Sequence, residues 1–399
     1  MPEACGRPMR RPKLRCTRAV AVTSMMLLGL TAACTNGGDP ADATDVVIAA
    51  SLELTGSGAT LGVEYEHALK LEVDQINASG VLGRRHLRLT ELDNRTESAT
   101  ALTQVTRFVS DPSVTAVITG SCADCEAAVA KVVADHKVPM ITLAPAVQLS
   151  AVTDSQKYIF KLGPNSTDDA TALAAELVRN GMRTVGVLAP SDAYGRDGRD
   201  AMAAAMRKAN ITITVNGEFG PGDTDLSKAA TPVGAARPDA VVVWAFPTQA
   251  GMAATALHDA GYKGKVYLDA SAAGDLFLEG TAAAEDGANL VFVPTFAIDD
   301  VIATTPAKAV RKQWFEDYTA RYGVYQGQAS FAADAAQLVS DAVIQAGTVD
   351  RAAVRTALET TRTEGLSGPL RMTPDNHSGL MPQALTVLVA RSGRWRLLG

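Results

Sequence analysis

From Val46 onward the sequence predicts an α/β fold built as two doubly wound, Rossmann-like lobes with parallel sheets. Three observations carry this. Short runs rich in Val, Ile and Leu recur along the chain, each with the length of a buried strand. Between them lie stretches with apolar residues three and four apart, such as Leu102, Val105, Phe108 and Val109, or Leu173, Leu177 and Val178. The alternation also runs twice, once to about Phe160 and again from about Gly163 to Phe292.

The first unit is the clearest. Val46–Ala50 reads as a buried strand, Thr55 to Gly62 as a small polar glycine-rich loop, and Ala68, Leu69, Glu72, Val73 and Ile76 as one face of a helix ending at Asn77–Gly80. The loop lacks the GxxxxGK[ST] and GxGxxG patterns, so it gives no sign of a nucleotide site. Further strands are expected at Leu87–Leu92, Val114–Thr119, Pro139–Leu143, Thr184–Leu188, Thr212–Asn216, Ala240–Trp244, Lys265–Leu268 and Leu290–Val293. After Pro294 the pattern becomes helical, over Lys308–Tyr322, Ala332–Gly347 and Arg351–Thr361. It ends in a strand pair over Thr386–Leu397 turning at Ser392-Gly393. The late helices must therefore return to cover earlier strands.

The first 33 residues read as an export signal. A basic head with Arg7, Arg10, Arg11, Lys13, Arg15 and Arg18 precedes the apolar run Ala19–Leu30, too short for the roughly 20 residues a spanning helix needs. Thr31-Ala32-Ala33-Cys34 resembles a bacterial lipobox, with Thr31 where an apolar residue is usual, and makes Cys34 the expected lipidated N-terminus. Residues 34–45 are polar and small and suit a flexible tether. Removing the leader changes the net charge from −6 to near −11, which argues against a nucleic-acid partner. About 355 residues remain, comfortable for two lobes.

The LTGSGATLG loop with INASGVLGR, ADHKVPMITLAPA, AYGRDG, ALHDAGYKGKVY and YGVYQGQASFAADAAQLV, in that order, resemble the type I periplasmic solute-binding proteins of the branched-chain amino-acid ABC transporter family. The resemblance implies two lobes closing on a ligand about three crossovers, expected near Phe160–Pro164, Pro294–Ala297 and Leu370–Pro374. Residues 46–160 with 297–370 would form the first lobe, and 163–293 with 374–399 the second. It implies no covalent chemistry, no cofactor and a monomer. An amino-acid carboxylate would be held by first-lobe loops offering Ser57, Ser121 or Cys122, and Ala144-Pro145-Ala146. Ala146 stands where amino-acid receptors generally carry a threonine, which leaves an amide, a urea-like molecule or an aromatic acid as alternative ligands. From the second lobe, Tyr194 and Phe246 are the expected aromatic contacts and Asp269 the expected partner of an α-ammonium. Glu53 lies near the same cleft, but acids at strand ends are usually solvated. Either an ABC permease or a membrane signalling partner would read the closed form.

Cys122 and Cys125 form a C-x-x-C at an expected helix start, open to three readings: a local disulfide, a reactive dithiol of the thioredoxin type, or half of a zinc site. His67, His86, His136, His258 and His377 are scattered without metal-ligand spacing, so no metal is expected. No GxSxG elbow suggests a hydrolase.

Overall fold

The computed structural model describes residues 44–145, 152–154, 156–274, 277–278, 286–300, 303–323, 325 and 327–398. The leader, Cys34, the tether up to residue 43 and Ala146 lie outside the described residues.

Five parallel strands make the first sheet: β1 (Val46–Leu52), β2 (Leu87–Asp93), β3 (Ala116–Thr119), β4 (Met140–Thr142) and β5 (Ile159–Lys161), in spatial order β2-β1-β3-β4-β5. Crossover helices α1 (Ala59–Ser79), α2 (Ser98–Ser110) and α3 (Ala123–His136) connect them. Alternate strand residues face opposite layers. Val46, Ile48 and Ala50 pack with Leu69, Val73 and Ile76 of α1, whereas Ala49 and Val117 pack with Val105, Phe108, Val129 and Val133 of α2 and α3. Because both faces are covered, the inner strands β1, β3 and β4 read as largely apolar runs, whereas edge strand β2 carries Arg88, Glu91 and Asp93.

The second sheet repeats the scheme. Strands β6 (Thr184–Pro190), β7 (Thr212–Phe219), β8 (Ala240–Val243), β9 (Lys265–Leu268) and β10 (Asn289–Phe292) are parallel. Helices α4 (Ser166–Arg179) and α5 (Ala193–Ala209) pack on one face, and α6 (Ser227–Ala235) and α7 (Pro247–Asp259) on the other. Far along the sequence, β13 (Thr386–Arg391) and β14 (Arg394–Leu397) complete the order β14-β13-β10-β9-β8-β6-β7 as an antiparallel edge. Ser392 and Gly393 have φ of 53° and 68°, the backbone of the two-residue hairpin turn expected there.

Helices α8 (Pro306–Tyr322), α9 (Ala329–Ala346) and α10 (Arg351–Leu358) return to the first sheet's side. Most of α9 is buried, thirteen of its eighteen residues, and it shares one apolar cluster with α1. Trp314 Nε1 of α8 donates to Glu72 Oε2 of α1 at 2.9 Å. Arg351 of α10 donates to the carbonyls of Val109, Asp111 and Val114. A small hairpin, β11 (Arg362–Glu364) with β12 (Pro369–Arg371), hangs on Asp334 of α9, whose carboxylate accepts from the Leu366 and Ser367 amides. Among the described residues, no helix is long and apolar enough to cross a membrane.

Two connecting segments run side by side. Lys161 N donates to His377 O at 2.9 Å, Gly379 N donates to Lys161 O at 2.8 Å, and Asn165 Nδ2 reaches Ser378 Oγ at 2.7 Å. The Lys161 ammonium is fully buried and donates to the carbonyls of Gly163 and Pro164, so the first segment folds over its own cation. The strand β5 arises where the sequence suggests only a connection, because three residues are too few to show a period.

Glu72 is a buried acid whose carboxyl is pushed up to about 8 by burial, reinforced by the charge of Asp334. The unfolded chain ionises it near 4.5, so folding stability is lost as pH rises from there through about 8. Replacing it with the neutral isostere Gln should therefore raise stability at pH 7, by up to about 3 kcal/mol, and flatten the dependence between pH 5 and 8. Thermal melts of both proteins across that range check this, and parallel curves would show that Glu72 is not the titrating group.

Candidate functional site

The carboxyl ends of both sheets face one cavity of about 410 Å3. The ends of β1, β2 and β3 and the loops and helix starts that follow supply Ser57, Gly58, Thr60, Leu61, Thr96, Ser98, Ser121, Cys122, Ala123 and Asp124. The ends of β6, β7 and β8 and the loops and first turns that follow supply Pro190, Asp192, Tyr194, Pro221–Thr224, Phe246–Gln249 and Met252. This is where parallel α/β sheets present ligand sites.

Four helices begin at its wall. Gly58 caps α1, Cys122 caps α3, Asp192 caps α5 and Phe246 caps α7. Leu61 N is taken by Gly58 O, Cys125 N by Cys122 Sγ and Gly195 N by Asp192 Oδ1, and each helix start carries the positive end of the dipole. Among the described lining residues there is no Lys, Arg or His, while Asp124, Asp192 and Asp223 supply carboxylates. Burial holds Asp192 above the usual carboxylate range, with the charge of Asp124 adding to it and Arg196 and Arg199 opposing it.

Glu53 fixes the first-sheet wall. It sits just past β1 and is fully buried, with Oε1 accepting from Asn94 Nδ2 at 3.1 Å and Oε2 from Ser121 N at 2.8 Å. The expectation of a solvated acid fails here, because partners on two other loops enclose it. A Cβ on Gly120 would lie 2.0 Å from Glu53 Oε2, and one on Gly62 would lie 2.0 Å from Glu53 O, so both approaches require glycine. Burial pushes the Glu53 carboxyl up, against the lowering effect of its hydrogen bonds.

Ser57, Ser121, Cys122, Tyr194 and Phe246 thus come together at the cavity. Tyr194 and Phe246 stack with centroids 4.9 Å apart. Ala144 and Asp269 do not line it. Ala144 is buried, its N–H taken by Thr142 Oγ1 at 3.2 Å, although its neighbours Leu143 and Pro145 border a narrow recess deeper in, with Tyr65, Phe246, Ser271 and Gln328. Asp269 is also fully buried. Its Oδ2 accepts from Tyr194 Oη at 2.7 Å and Ser271 N at 3.0 Å, and its Oδ1 from Ala245 N at 3.0 Å. Its direct contacts thus hold Tyr194 and the start of the following turn, instead of the expected opening to a ligand. Thr96, Ser98 and Pro221–Thr224 are lining residues the sequence reading passed over. The rule that sites gather at strand carboxyl ends, applied to β2 and β7 as well, would have found them.

Cys122 and Cys125 are joined as a disulfide in the first turn of α3. Among the described residues, they and Glu53 are the one group with metal-ligand proximity, their ligand atoms lying within 4.8 Å of one another. The sulfur–sulfur bond leaves neither cysteine as a thiolate, the form a metal would need.

The sequence profile of the periplasmic binding protein family matches residues 45–394, and the chain belongs to that family. Its fold is the type I form of that family. It is 26% identical over 245 residues, 60% of its length, to the Leu/Ile/Val-binding protein homolog 3 of Brucella melitensis. Over 228 residues, 56% of its length, it is 22% identical to an amino acid binding protein of Pseudomonas aeruginosa. The chain spans 65% and 60% of those relatives' own lengths. An extracellular ligand-binding receptor from Rhodopseudomonas palustris HaA2 superposes with a TM-score of 0.81 at 24% identity, covering 88% of this chain and 99% of that one. The branched-chain amino acid transporter substrate binding protein LivJ of Streptococcus pneumoniae, solved with isoleucine, gives 0.74 at 21% identity, covering 88% and 97%.

Tyr194→Phe keeps the ring against Phe246 but removes the hydroxyl from buried Asp269. It should lower stability by about 1–3 kcal/mol, read as a drop in melting temperature of the unliganded protein. An unchanged melt would mean that the Tyr194 hydroxyl is dispensable to Asp269.

Proposed function

We propose that the cavity binds a zwitterionic amino acid, of the branched-chain type first, and that the closed receptor delivers it to an ABC permease. The observation that carries this reading is the pairing of four helix N-termini with carboxylates and no basic side chain among the described lining residues. Backbone N–H groups at the starts of α1 and α3 suit a carboxylate. Asp124, Asp192 and Asp223 suit an ammonium, and Leu61, Met252, Phe246 and the Tyr194 ring suit an apolar side chain. Asp269 then acts through Tyr194, holding the ring that meets the ligand.

A ligand touching both sheets' loops would favour closure by contacts that the open form lacks. The hinge would comprise residues 161–165, the segment after β10, and residues 372–385, the last placed later than Leu370–Pro374 because β12 still belongs to the hairpin on α9. The first lobe would be the first sheet with α1–α3 and α8–α10, and the second lobe the second sheet with α4–α7. A lipid on Cys34 would keep the receptor at the membrane.

The test is a thermal-shift screen of protein stripped of ligand by unfolding and refolding, against amino acids, small amides and aromatic acids. A ligand at about 100 times its Kd adds about 2.7 kcal/mol, a shift of several degrees for a protein of this size. Aliphatic amino acids should respond. A response confined to amides or aromatic acids would replace the proposed ligand, and silence throughout would favour a signalling partner with another effector. Phe246→Ala should weaken the responding ligand at least about tenfold, measured by calorimetric titration, and Phe246→Leu, which keeps most of the packing against both cores, should weaken it less while holding the unliganded melt closer to that of the parent.

A further inference from the structure

The disulfide in the cavity wall is unevenly exposed. Cys122 lines the cavity and is partly accessible, whereas Cys125, one helical turn on, is 1% exposed. The bond closes a loop only three residues long within a helix that the first sheet already holds, and disulfides over short loops constrain the unfolded chain least. The buried Glu53 carboxyl lies within 4.8 Å of both sulfurs, and its other neighbours are Asn94, Ser121, Glu126 and Tyr65. One accessible sulfur, one shielded sulfur and a buried carboxyl beside them make an asymmetric exchange site.

We propose that this disulfide exchanges with small-molecule thiols that enter the cavity. A thiolate attacks Cys122 Sγ, the sulfur–sulfur bond breaks, and its electron pair leaves on Cys125 Sγ. The products are a mixed disulfide on Cys122 and a thiol on Cys125. Glu53 donates the proton to Cys125 and regains one from solvent, equal to the one the incoming thiol released. The reverse attack by Cys125 expels the small thiol and restores the bond. Burial favours the protonated carboxyl that the forward step needs. The proposal stands on the geometry of Cys122, Cys125 and Glu53 and is independent of which solute the receptor carries.

The test incubates the native oxidised protein with reduced glutathione, stops exchange with acid, unfolds the protein, alkylates the free thiols with N-ethylmaleimide and maps both cysteines by mass spectrometry. The expected result is glutathione on Cys122 and the alkyl group on Cys125, with the reverse pattern at least about tenfold rarer. Glu53→Gln should slow adduct formation about tenfold or more and remove part of its pH dependence. Should that variant fail to fold, Cys125→Ser supplies the second reading: its free Cys122 is captured by oxidised glutathione in the native protein. Adducts that form only in denaturant, or equally on both cysteines, would overturn the proposal and leave the disulfide a structural clip. A thermal-shift response to solute in the same samples separates this failure from failure of the receptor reading.

Discussion

The buried carboxyl group of Glu53 is the interaction on which the first half of the cavity wall depends. It sits where β1 ends and draws in Asn94 from the loop after β2 and the Ser121 amide from the loop after β3. Three loops from adjacent strands are therefore fixed to one side chain. Placing an acid there is expensive unless its oxygens are satisfied, and both are. The neighbouring glycines follow from it. Gly120 yields the space its carboxyl fills, and Gly62 lets α1 pass close over its carbonyl. The second half has its counterpart in Asp269, which gathers Tyr194, Ala245 and Ser271 from three successive strand ends. Each sheet thus organises its rim around one buried acid.

This arrangement separates positioning from contact. The acids that hold the rim are fully buried, and the groups left at the surface include backbone amides, small hydroxyls, two stacked rings and three aspartates. A wall without mobile basic side chains would meet the proposed ligand's charge through dipoles fixed by the fold, which need little reorganisation on binding.

Much of this was legible in the sequence. Every strand expected between Val46 and Val293 is present, as are the three late helices and the hairpin at Ser392-Gly393, because apolar runs and helical spacings are local signals. What escaped was non-local or too short. The β11 and β12 strands are three residues each and largely exposed, so no apolar period marks them. Glu53 reads as solvated and Asp269 as open, since burial of an acid is decided by partners that arrive from other loops. For Glu53 these are Asn94 and Ser121, and for Asp269 they are Tyr194 and Ala245. Ser57, Ser121, Cys122, Tyr194 and Phe246 were expected from the family resemblance, and they line the cavity because they follow strand carboxyl ends, where a topological rule holds without contact detail.

The interleaving of the two halves has a consequence for biogenesis. Helix α9 covers strands that leave the ribosome more than two hundred residues earlier, and β13 and β14 close a sheet whose first strand is just as distant. Neither core can be sealed while the chain is still emerging, so long-range contacts delay folding until synthesis is nearly complete. A polypeptide of this kind stays pliable until its last strands have emerged, the state in which the proposed export would thread it across a membrane.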